Sequence, residues 1–224
     1  MKRFLRENSL SLVFAALFLA AVGGQSYVGW EKFNEDALAH GAATISYGRY
    51  LLSSDFGVAV LENWQSEYLQ FFLFIAATIW LVQKGSTESK DVDEIGLEPD
   101  ERQLVGRHAG DASPSWAKAG GWRTAVYSHS LLIAMGLIFV LSWFGQSVTG
   151  WTQFNEQQRE HDEKTVSWGG YLARPDFWER TLQNWQSEFL AVGTLAVFSI
   201  YLRERGSPQS KPVGAPHAET SSSG

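Results

Sequence analysis

The sequence contains no cysteine, which excludes disulfide bonds, iron–sulfur clusters and thiolate zinc sites. It also lacks a basic stripe of the kind that binds nucleic acid, since the net charge is −6 and Lys and Arg are spread along the chain. No phosphate-binding loop, nucleophile elbow or metalloprotease motif is present. The residues therefore favour a protein that is not an enzyme, and they predict no particular cofactor and no nucleic-acid partner.

Charge is also missing from four long stretches. Residues 9–29 and 125–154 carry no Asp, Glu, Lys or Arg, and shorter uncharged runs cover residues 68–83 and 189–202. A soluble helical bundle would place a charge every three or four residues on its outer face. The runs therefore predict a partner, the lipid bilayer, and four transmembrane helices at about residues 8–29, 62–83, 126–149 and 182–203.

One pentapeptide, Asn-Trp-Gln-Ser-Glu, occurs at residues 63–67 and again 121 positions later at residues 184–188. Residues 9–86 align on residues 130–207 without a gap, so we interpret the chain as two tandem repeats of helix, outer loop and helix. Two crossings return the chain to its starting side, which makes the repeats parallel. The first apolar run also fits a signal peptide, but its counterpart is internal and cannot be removed, which favours retention.

The predicted organisation is repeat 1 (5–86), a cytoplasmic linker (87–123), repeat 2 (124–207) and a disordered tail (208–224) rich in Pro, Ser and Gly. Twelve of the 18 Lys and Arg residues lie at residues 2–6, 84–123 and 203–211, on one side of the predicted spans, so both termini are predicted to be cytoplasmic. The predicted fold class is an all-α membrane protein with four transmembrane helices, helical outer loops and a disordered C-terminal tail.

The duplicated pentapeptide places one carboxylate of each repeat at membrane depth. A span takes about 20 residues, and counting back from the ends of the apolar runs brings Glu67 and Glu188 into the outer part of the hydrocarbon layer. A carboxylate at this depth must be paired, hydrated or protonated. The candidate polar or ion site combines the pentapeptide side chains with side chains predicted to cap them from outside: Asn63, Gln65, Glu67, Asn184, Gln186, Glu188, Gln25, Gln146, Asn34, Asn155, Glu35, Glu156, His40 and His161.

Three interpretations of these residues stay open. The protein binds or conducts protons or cations at Glu67 and Glu188, towards which its acidic outer loops would attract cations. Alternatively, it is a structural or partner-binding protein whose polar side chains hold helices together, each contributing about 1 kcal/mol. The third is a metal-dependent enzyme built on His40 and His161, although their spacing matches no metal signature closely. A homo-oligomer is compatible with all three.

The doubled pentapeptide, with Gly-Gln-Ser and Phe-Asn-Glu before each copy, resembles a family of uncharacterised small bacterial membrane proteins. The resemblance covers about residues 5–207, and the ending Lys-Pro-Val-Gly-Ala-Pro-His-Ala-Glu-Thr is similar to the ending usual in that family. It implies a bacterial inner-membrane location and four helices. It carries over no catalytic or binding residue.

Overall fold

The computed structural model describes residues 2–220, and over that range it contains nine α-helices, two short 3-10 helices and no strand. The all-α prediction is therefore confirmed. The 3-10 helices, Val92–Glu94 and Gly106–His108, lie in the linker. The α-helices are α1 (Lys2–Glu7), α2 (Ser9–Ala39), α3 (Tyr47–Tyr50), α4 (Ser54–Trp80), α5 (Ser115–Ala119), α6 (Gly121–Ser128), α7 (Ser130–Glu160), α8 (Trp168–Leu172) and α9 (Pro175–Tyr201).

The helix boundaries recur with the spacing of the sequence repeat. Helices α2 and α7 both have 31 residues, and α4 and α9 both have 27. Ser130 at the start of α7 lies 121 positions after Ser9, and Pro175 at the start of α9 lies 121 positions after Ser54. The two halves of the sequence therefore form the same order of long helix, short helix and long helix.

Helices α2 and α7 extend about ten residues beyond the membrane segments predicted from the sequence, as far as Ala39 and Glu160. The extension of α2 consists largely of Glu, Lys, Ala and Leu, which favour helix, and it contains neither Gly nor Pro. Gly41 follows with φ of 72°, a left-handed conformation in which helices commonly end. Much of each outer connection is therefore helical, in agreement with the predicted helical outer loops, and α3 and α8 add a further short helix to each.

Among the described residues, α2 and α7 are the two helices long and apolar enough to cross a membrane. Few of their apolar residues are buried within the protein, as expected for side chains that face lipid. Length and composition are all that qualify them, and α2, near the N-terminus, has those of a signal sequence as well. Helices α4 and α9 do not qualify, because each contains the polar pentapeptide.

The chain forms two compact units, and the first comprises residues up to Val60 together with Val148–Trp168. Tyr50 is buried in this unit, 4% exposed, with its ring 5.9 Å from that of Phe33 and 5.7 Å from that of Phe56. Burial, together with the charge of Asp55, raises the pKa of the Tyr50 hydroxyl. A Cβ atom at Gly29 would lie 2.3 Å from the Tyr50 hydroxyl oxygen, so this close approach requires glycine.

The second unit comprises Leu61–Ser147 together with the residues from Gly169 onward. Two glycines of α7 let side chains of α4 approach its backbone closely. A Cβ atom at Gly136 would lie 3.0 Å from ring carbons of Phe72, and one at Gly145 would lie 2.9 Å from Leu61 Cδ1. Small residues at helix contacts of this kind are typical of membrane bundles.

The prediction of a disordered tail was wrong for residues 208–220, which form hydrogen-bonded turns within the second unit. The other tail residues, 221–224, lie outside the described part of the chain. The same turn follows α4 and α9: the Ser89 hydroxyl accepts the Gln83 amide at 2.8 Å, and the Ser210 hydroxyl accepts the Glu204 amide at 2.9 Å. Each turn leads into a lysine, Lys90 or Lys211.

Lys211 is 1% exposed, and its ammonium group lies among four backbone carbonyl oxygens, which we call the Lys211 cage. The cage consists of the carbonyl groups of Gly85, Pro216, His217 and Glu219, at 2.7, 3.2, 3.0 and 3.0 Å from Nζ. Gly85 belongs to the first turn and the other three residues to the tail. One buried cation therefore joins the tail to the chain that follows α4.

Candidate functional site

The two copies of the pentapeptide meet inside the second unit. The indole nitrogen of Trp185 donates a hydrogen bond to Gln65 Oε1 at 2.7 Å. The hydroxyl oxygen of Ser66 lies 3.5 Å from Glu188 Oε1. The Ser66 hydroxyl donates a hydrogen bond to the backbone carbonyl of Asn63 at 2.9 Å. The pentapeptide of α4 therefore contacts the pentapeptide of α9 through side chains on both helices.

The two copies nevertheless have different environments. Gln65 and Ser66 are fully buried, at 0% and 1% exposure, whereas their counterparts Gln186 and Ser187 are exposed. Gln65 also donates from Nε2 to the backbone carbonyl of Glu62 at 3.0 Å, so both ends of its amide are bonded. The first copy therefore supplies the buried polar contact, and the second copy supplies Trp185 and Glu188 to it.

The carboxylates lie at the accessible side of this contact. Glu67 is exposed, Glu188 is partly buried, and the two are close enough for their charges to interact. Asn63 is exposed, and Asn184, partly buried, donates to the carbonyl of Arg180 on its own helix at 2.9 Å. Two carboxylates beside a hydroxyl can share a proton or supply oxygen ligands to a hard cation.

Aromatic rings surround the indole that bonds Gln65. The ring of Trp143 lies 5.8 Å from that of Trp185, 6.1 Å from those of Phe177 and Trp178, and 5.7 Å from that of Phe139. Such a cluster restricts water near the Trp185–Gln65 bond, and a hydrogen bond shielded from water is electrostatically stronger. The polar contact is therefore held by its apolar surroundings on the α7 and α9 side.

The loop asparagines have a duplicated structural role in the first unit. The side chain of Asn34 accepts the Ile45 amide at 2.8 Å and donates to its carbonyl at 3.1 Å. The side chain of Asn155 makes the same two hydrogen bonds with Val166, accepting its amide at 2.8 Å and donating to its carbonyl at 2.9 Å. The indole nitrogens of Trp30 and Trp151, one turn earlier, donate to the carbonyls of Ile45 and Val166 at 2.8 and 2.7 Å. These four side chains fix the extended chain after each long helix.

The remaining predicted site residues are dispersed. Gln25 is exposed and donates to the Ala59 carbonyl at 3.3 Å, whereas its counterpart Gln146 is 2% exposed in the second unit. His40 and His161 are both exposed at the ends of their helices, and His40 Nδ1 lies 2.8 Å from the Asp36 carbonyl oxygen. Glu35 is exposed.

Glu156 is also exposed, and it accepts the Ser54 hydroxyl at 2.6 Å. Within residues 2–220, no three His, Cys, Asp or Glu side chains are grouped so that they could hold a metal ion. Because Gln25 and the predicted loop residues belong to the first unit and the pentapeptides to the second, capping of the pentapeptides from outside stays a prediction.

The comparisons with known proteins identify the family. The model of DUF6766, a domain of unknown function, matches residues 1–222. The chain belongs to the DUF6766 family. No curated protein and no solved structure matches it. The predicted resemblance to a family without an assigned activity is therefore confirmed.

Two residues of the contact were absent from the site predicted for this DUF6766 chain. Ser66 and Trp185 both belong to the pentapeptide, but the candidate site predicted from the sequence included neither of them. Their neighbours across the second unit, Glu188 and Gln65, lie on another helix. The only signal in the sequence was the duplication itself, since two identical polar segments at the same membrane depth can form hydrogen bonds with each other.

The buried amide supplies a matched test. We expect Gln65→Leu to lower the free energy of unfolding by about 1–3 kcal/mol, because the indole N–H of Trp185 loses its acceptor in an apolar cluster. Gln186→Leu makes the same chemical change at an exposed position, and we expect an effect within about 0.5 kcal/mol. Thermal unfolding in detergent measures both. Equal shifts in the two variants would contradict the assignment of the buried role to the first copy.

Proposed function

We propose that this DUF6766 chain is an integral membrane protein that binds protons or cations at Glu67 and Glu188. The observation that supports the proposal is the meeting of the two pentapeptides: Glu188 lies 3.5 Å from the Ser66 hydroxyl oxygen, and Glu67 is close enough for its charge to act on Glu188. A single acidic residue on a membrane helix is a weak signal. Two copies that contact each other form an oxygen-rich site of the kind that hard cations and protons occupy.

Four spanning helices are part of the proposal: α2, α4, α7 and α9, with both termini cytoplasmic, in the inner membrane of a bacterium. Trp80 at the end of α4 lies thirteen positions after Glu67, and Tyr201 at the end of α9 lies thirteen positions after Glu188. At about 1.5 Å per residue each stretch covers about 20 Å. In a hydrocarbon layer of about 30 Å both carboxylates would then lie about two-thirds of the way across from the inner surface.

A second candidate function follows from the burial of Gln65 and Ser66. Their hydrogen bonds resemble the polar contacts that hold membrane helices together, each contributing about 1 kcal/mol. In this alternative the pentapeptides have a structural role, and the exposed carboxylates face water or a partner protein. No ion would then stabilise the protein through Glu67 and Glu188.

Thermal unfolding across pH 4–9 and a panel of monovalent and divalent cations tests the proposal. A cation at about 100 times its Kd stabilises the folded protein by about 2.7 kcal/mol, which corresponds to a Tm increase of about 5–10 °C. We expect this saturable increase, or an equivalent dependence on pH, in the parent and its loss in Glu67→Gln/Glu188→Gln. Flux into liposomes then separates conduction from binding.

The control is Glu160→Gln/Glu163→Gln, which removes the same charge at two exposed positions of the outer connection. It should keep the ion response of the parent. An ion response that survives in the Glu67→Gln/Glu188→Gln variant would contradict the proposed site. The absence of any ion or proton response in the parent would support the structural alternative.

A further inference from the structure

A short helical elbow precedes α7. Helix α5 (Ser115–Ala119) and helix α6 (Gly121–Ser128) are joined at Gly120, whose φ is 71°. The Thr124 hydroxyl donates to the carbonyl of Trp116 at 2.7 Å, and the rings of Trp116 and Trp122 meet edge to face with centroids 5.9 Å apart. These contacts tie the two helices together, so the elbow has a defined shape.

One face of the elbow presents apolar side chains that the described residues of the second unit leave largely or partly exposed. Trp122 is 67% exposed, and Trp116 and Val126 are each 41% exposed. Trp122 and Val126 are four residues apart and share a face of α6, whereas Thr124, 8% exposed, points to the other side. Exposed tryptophans beside an aliphatic residue are the composition of an interfacial helix, in which the indole lies at the level of the lipid headgroups.

The charge of the elbow has one sign. Between Asp111 and Glu156 the chain contains no acidic residue, and Lys118 and Arg123 are the two cations of the elbow itself. The guanidinium carbon of Arg123 lies 5.7 Å from the ring centroid of Trp122, so charge and aromatic surface occur at one place. Basic side chains next to an apolar face match a surface of anionic lipid headgroups.

The elbow is also continuous with a candidate span. Only His129 separates α6 from α7, and the His129 carbonyl accepts the Ile133 amide at 2.9 Å, so α7 begins at once. Trp122 stands eight positions before Ser130. A face attached so closely to the entry of a spanning helix lies at the membrane surface whenever that helix is inserted.

From the exposed tryptophans, the single sign of charge and the continuity with α7, we infer that the α5–α6 elbow docks on the membrane surface where α7 enters. Trp116, Trp122 and Val126 lie in the interface, and Lys118 and Arg123 contact the phosphates of anionic lipids. The inference rests on the proposed membrane insertion of α7. The elbow thereby orients the entry of α7 and makes the linker sensitive to lipid charge.

The absence of native cysteine allows single-cysteine spin labelling of the full chain. Labels at Ala125→Cys in α6, Leu137→Cys in α7 and Asp111→Cys in the linker would be compared in nanodiscs of phosphatidylcholine with and without phosphatidylglycerol. Collisions with oxygen report lipid, and collisions with a water-soluble nickel chelate report water. We expect position 125 to favour oxygen, as position 137 does, and position 111 to favour nickel.

Removal of the cations tests the role of lipid charge. Each basic side chain near an anionic surface changes the ratio of docked to free elbow about fivefold, so Lys118→Gln/Arg123→Gln should lower it about 25-fold in phosphatidylglycerol nanodiscs. The same variant should change little in phosphatidylcholine alone. The control Lys32→Gln/Arg159→Gln removes two exposed cations elsewhere and should leave the signal at position 125 unchanged.

The remaining outcomes contradict the inference in distinguishable ways. Nickel access at position 125 with oxygen access at position 137 overturns the docking and leaves membrane insertion intact. Nickel access at both positions overturns insertion as well. Shielding of position 125 from both probes means that protein, either a second copy or a partner, covers the elbow instead of lipid. An unchanged signal in the Lys118→Gln/Arg123→Gln variant overturns the contact with lipid phosphates.

Discussion

Replacement of Lys211 by methionine is expected to lower the free energy of unfolding by about 2–4 kcal/mol and to release the tail. A hydrogen bond from a charged group contributes about 1.5–3 kcal/mol, and the Lys211 ammonium donates to a cage of four carbonyl groups. Burial, with a smaller effect of nearby Arg203, lowers the pKa of this amine, so desolvation offsets part of that gain. Methionine fills similar volume but leaves the carbonyl groups facing one another without a donor.

The expected decrease in Tm is about 5–15 °C for a chain of this size, measured by thermal unfolding in detergent. Limited digestion with a nonspecific protease provides a local measurement, because cleavage within residues 203–220 should begin earlier than cleavage elsewhere. Hydrogen exchange of the same residues should increase in parallel. An unchanged Tm together with unchanged protection of the tail would contradict the role assigned to the Lys211 cage.

Lys90 provides the matched control because it follows the equivalent turn after α4. Its ammonium donates to the Gly96 carbonyl at 3.1 Å and lies 3.1 Å from a carboxylate oxygen of Glu98. The Lys90 side chain is 27% exposed, so solvent weakens this ion pair. We expect Lys90→Met to cost about 1 kcal/mol or less, with the tail protected as in the parent.

The helices were the part of the fold that the sequence could predict. Uncharged runs located the four long helices, and the duplication indicated that their boundaries would recur, as Ser9 and Ser130 show. The ends at Ala39 and Glu160 lie beyond the predicted transmembrane segments, because an uncharged run marks the apolar part of a helix and the helix continues through charged residues into the predicted helical outer loop. Secondary structure follows local propensity there, and membrane depth does not limit it.

The tail was mispredicted for a different physical reason. Pro, Ser and Gly indicate weak local propensity, whereas the tail is ordered by the carbonyl groups around Lys211, one of which belongs to Gly85, a residue distant in sequence. A local signal did exist: Ser89–Lys90 and Ser210–Lys211 are 121 positions apart, so the repeat continues past the end of α9. Repeat spacing is therefore a better guide to order here than composition.

The asymmetry of the site could not be predicted from two identical pentapeptides. Its cause lies outside them, since the positions equivalent to Trp143 and Trp178 in the first repeat are Val22 and Gly57. The cluster around Trp143 lies beside the second copy, where it packs against the Trp185 indole that bonds Gln65. Identical motifs acquire different roles when one of them has larger neighbours.

Gly85→Ala is expected to be the most destabilising alanine substitution at a turn of this chain. Gly85 has φ of 88°, and a Cβ atom there would lie 2.3 Å from the carbonyl oxygen of His217, which is backbone and belongs to the Lys211 cage. The left-handed conformation costs alanine about 1–2 kcal/mol, and overpacking adds about 1–3 kcal/mol. The Gly85 amide also donates to the Thr220 hydroxyl at 3.1 Å, so a shift of Gly85 loosens the tail at two points.

Gly206 isolates the cost of the clash, because it has nearly the same φ, 86°, and its Cβ atom would meet nothing within 4 Å. We expect Gly206→Ala to cost only the conformational part, about 1–2 kcal/mol, so its decrease in Tm should be about half that of Gly85→Ala. Combining Gly85→Ala with Lys211→Met should cost less than the sum of the single changes, because both disrupt one cage. Full additivity of Gly85→Ala and Lys211→Met would show that the tail is held at independent points. Equal effects of Gly85→Ala and Gly206→Ala would show that the His217 carbonyl moves away from the Cβ atom at little energetic cost.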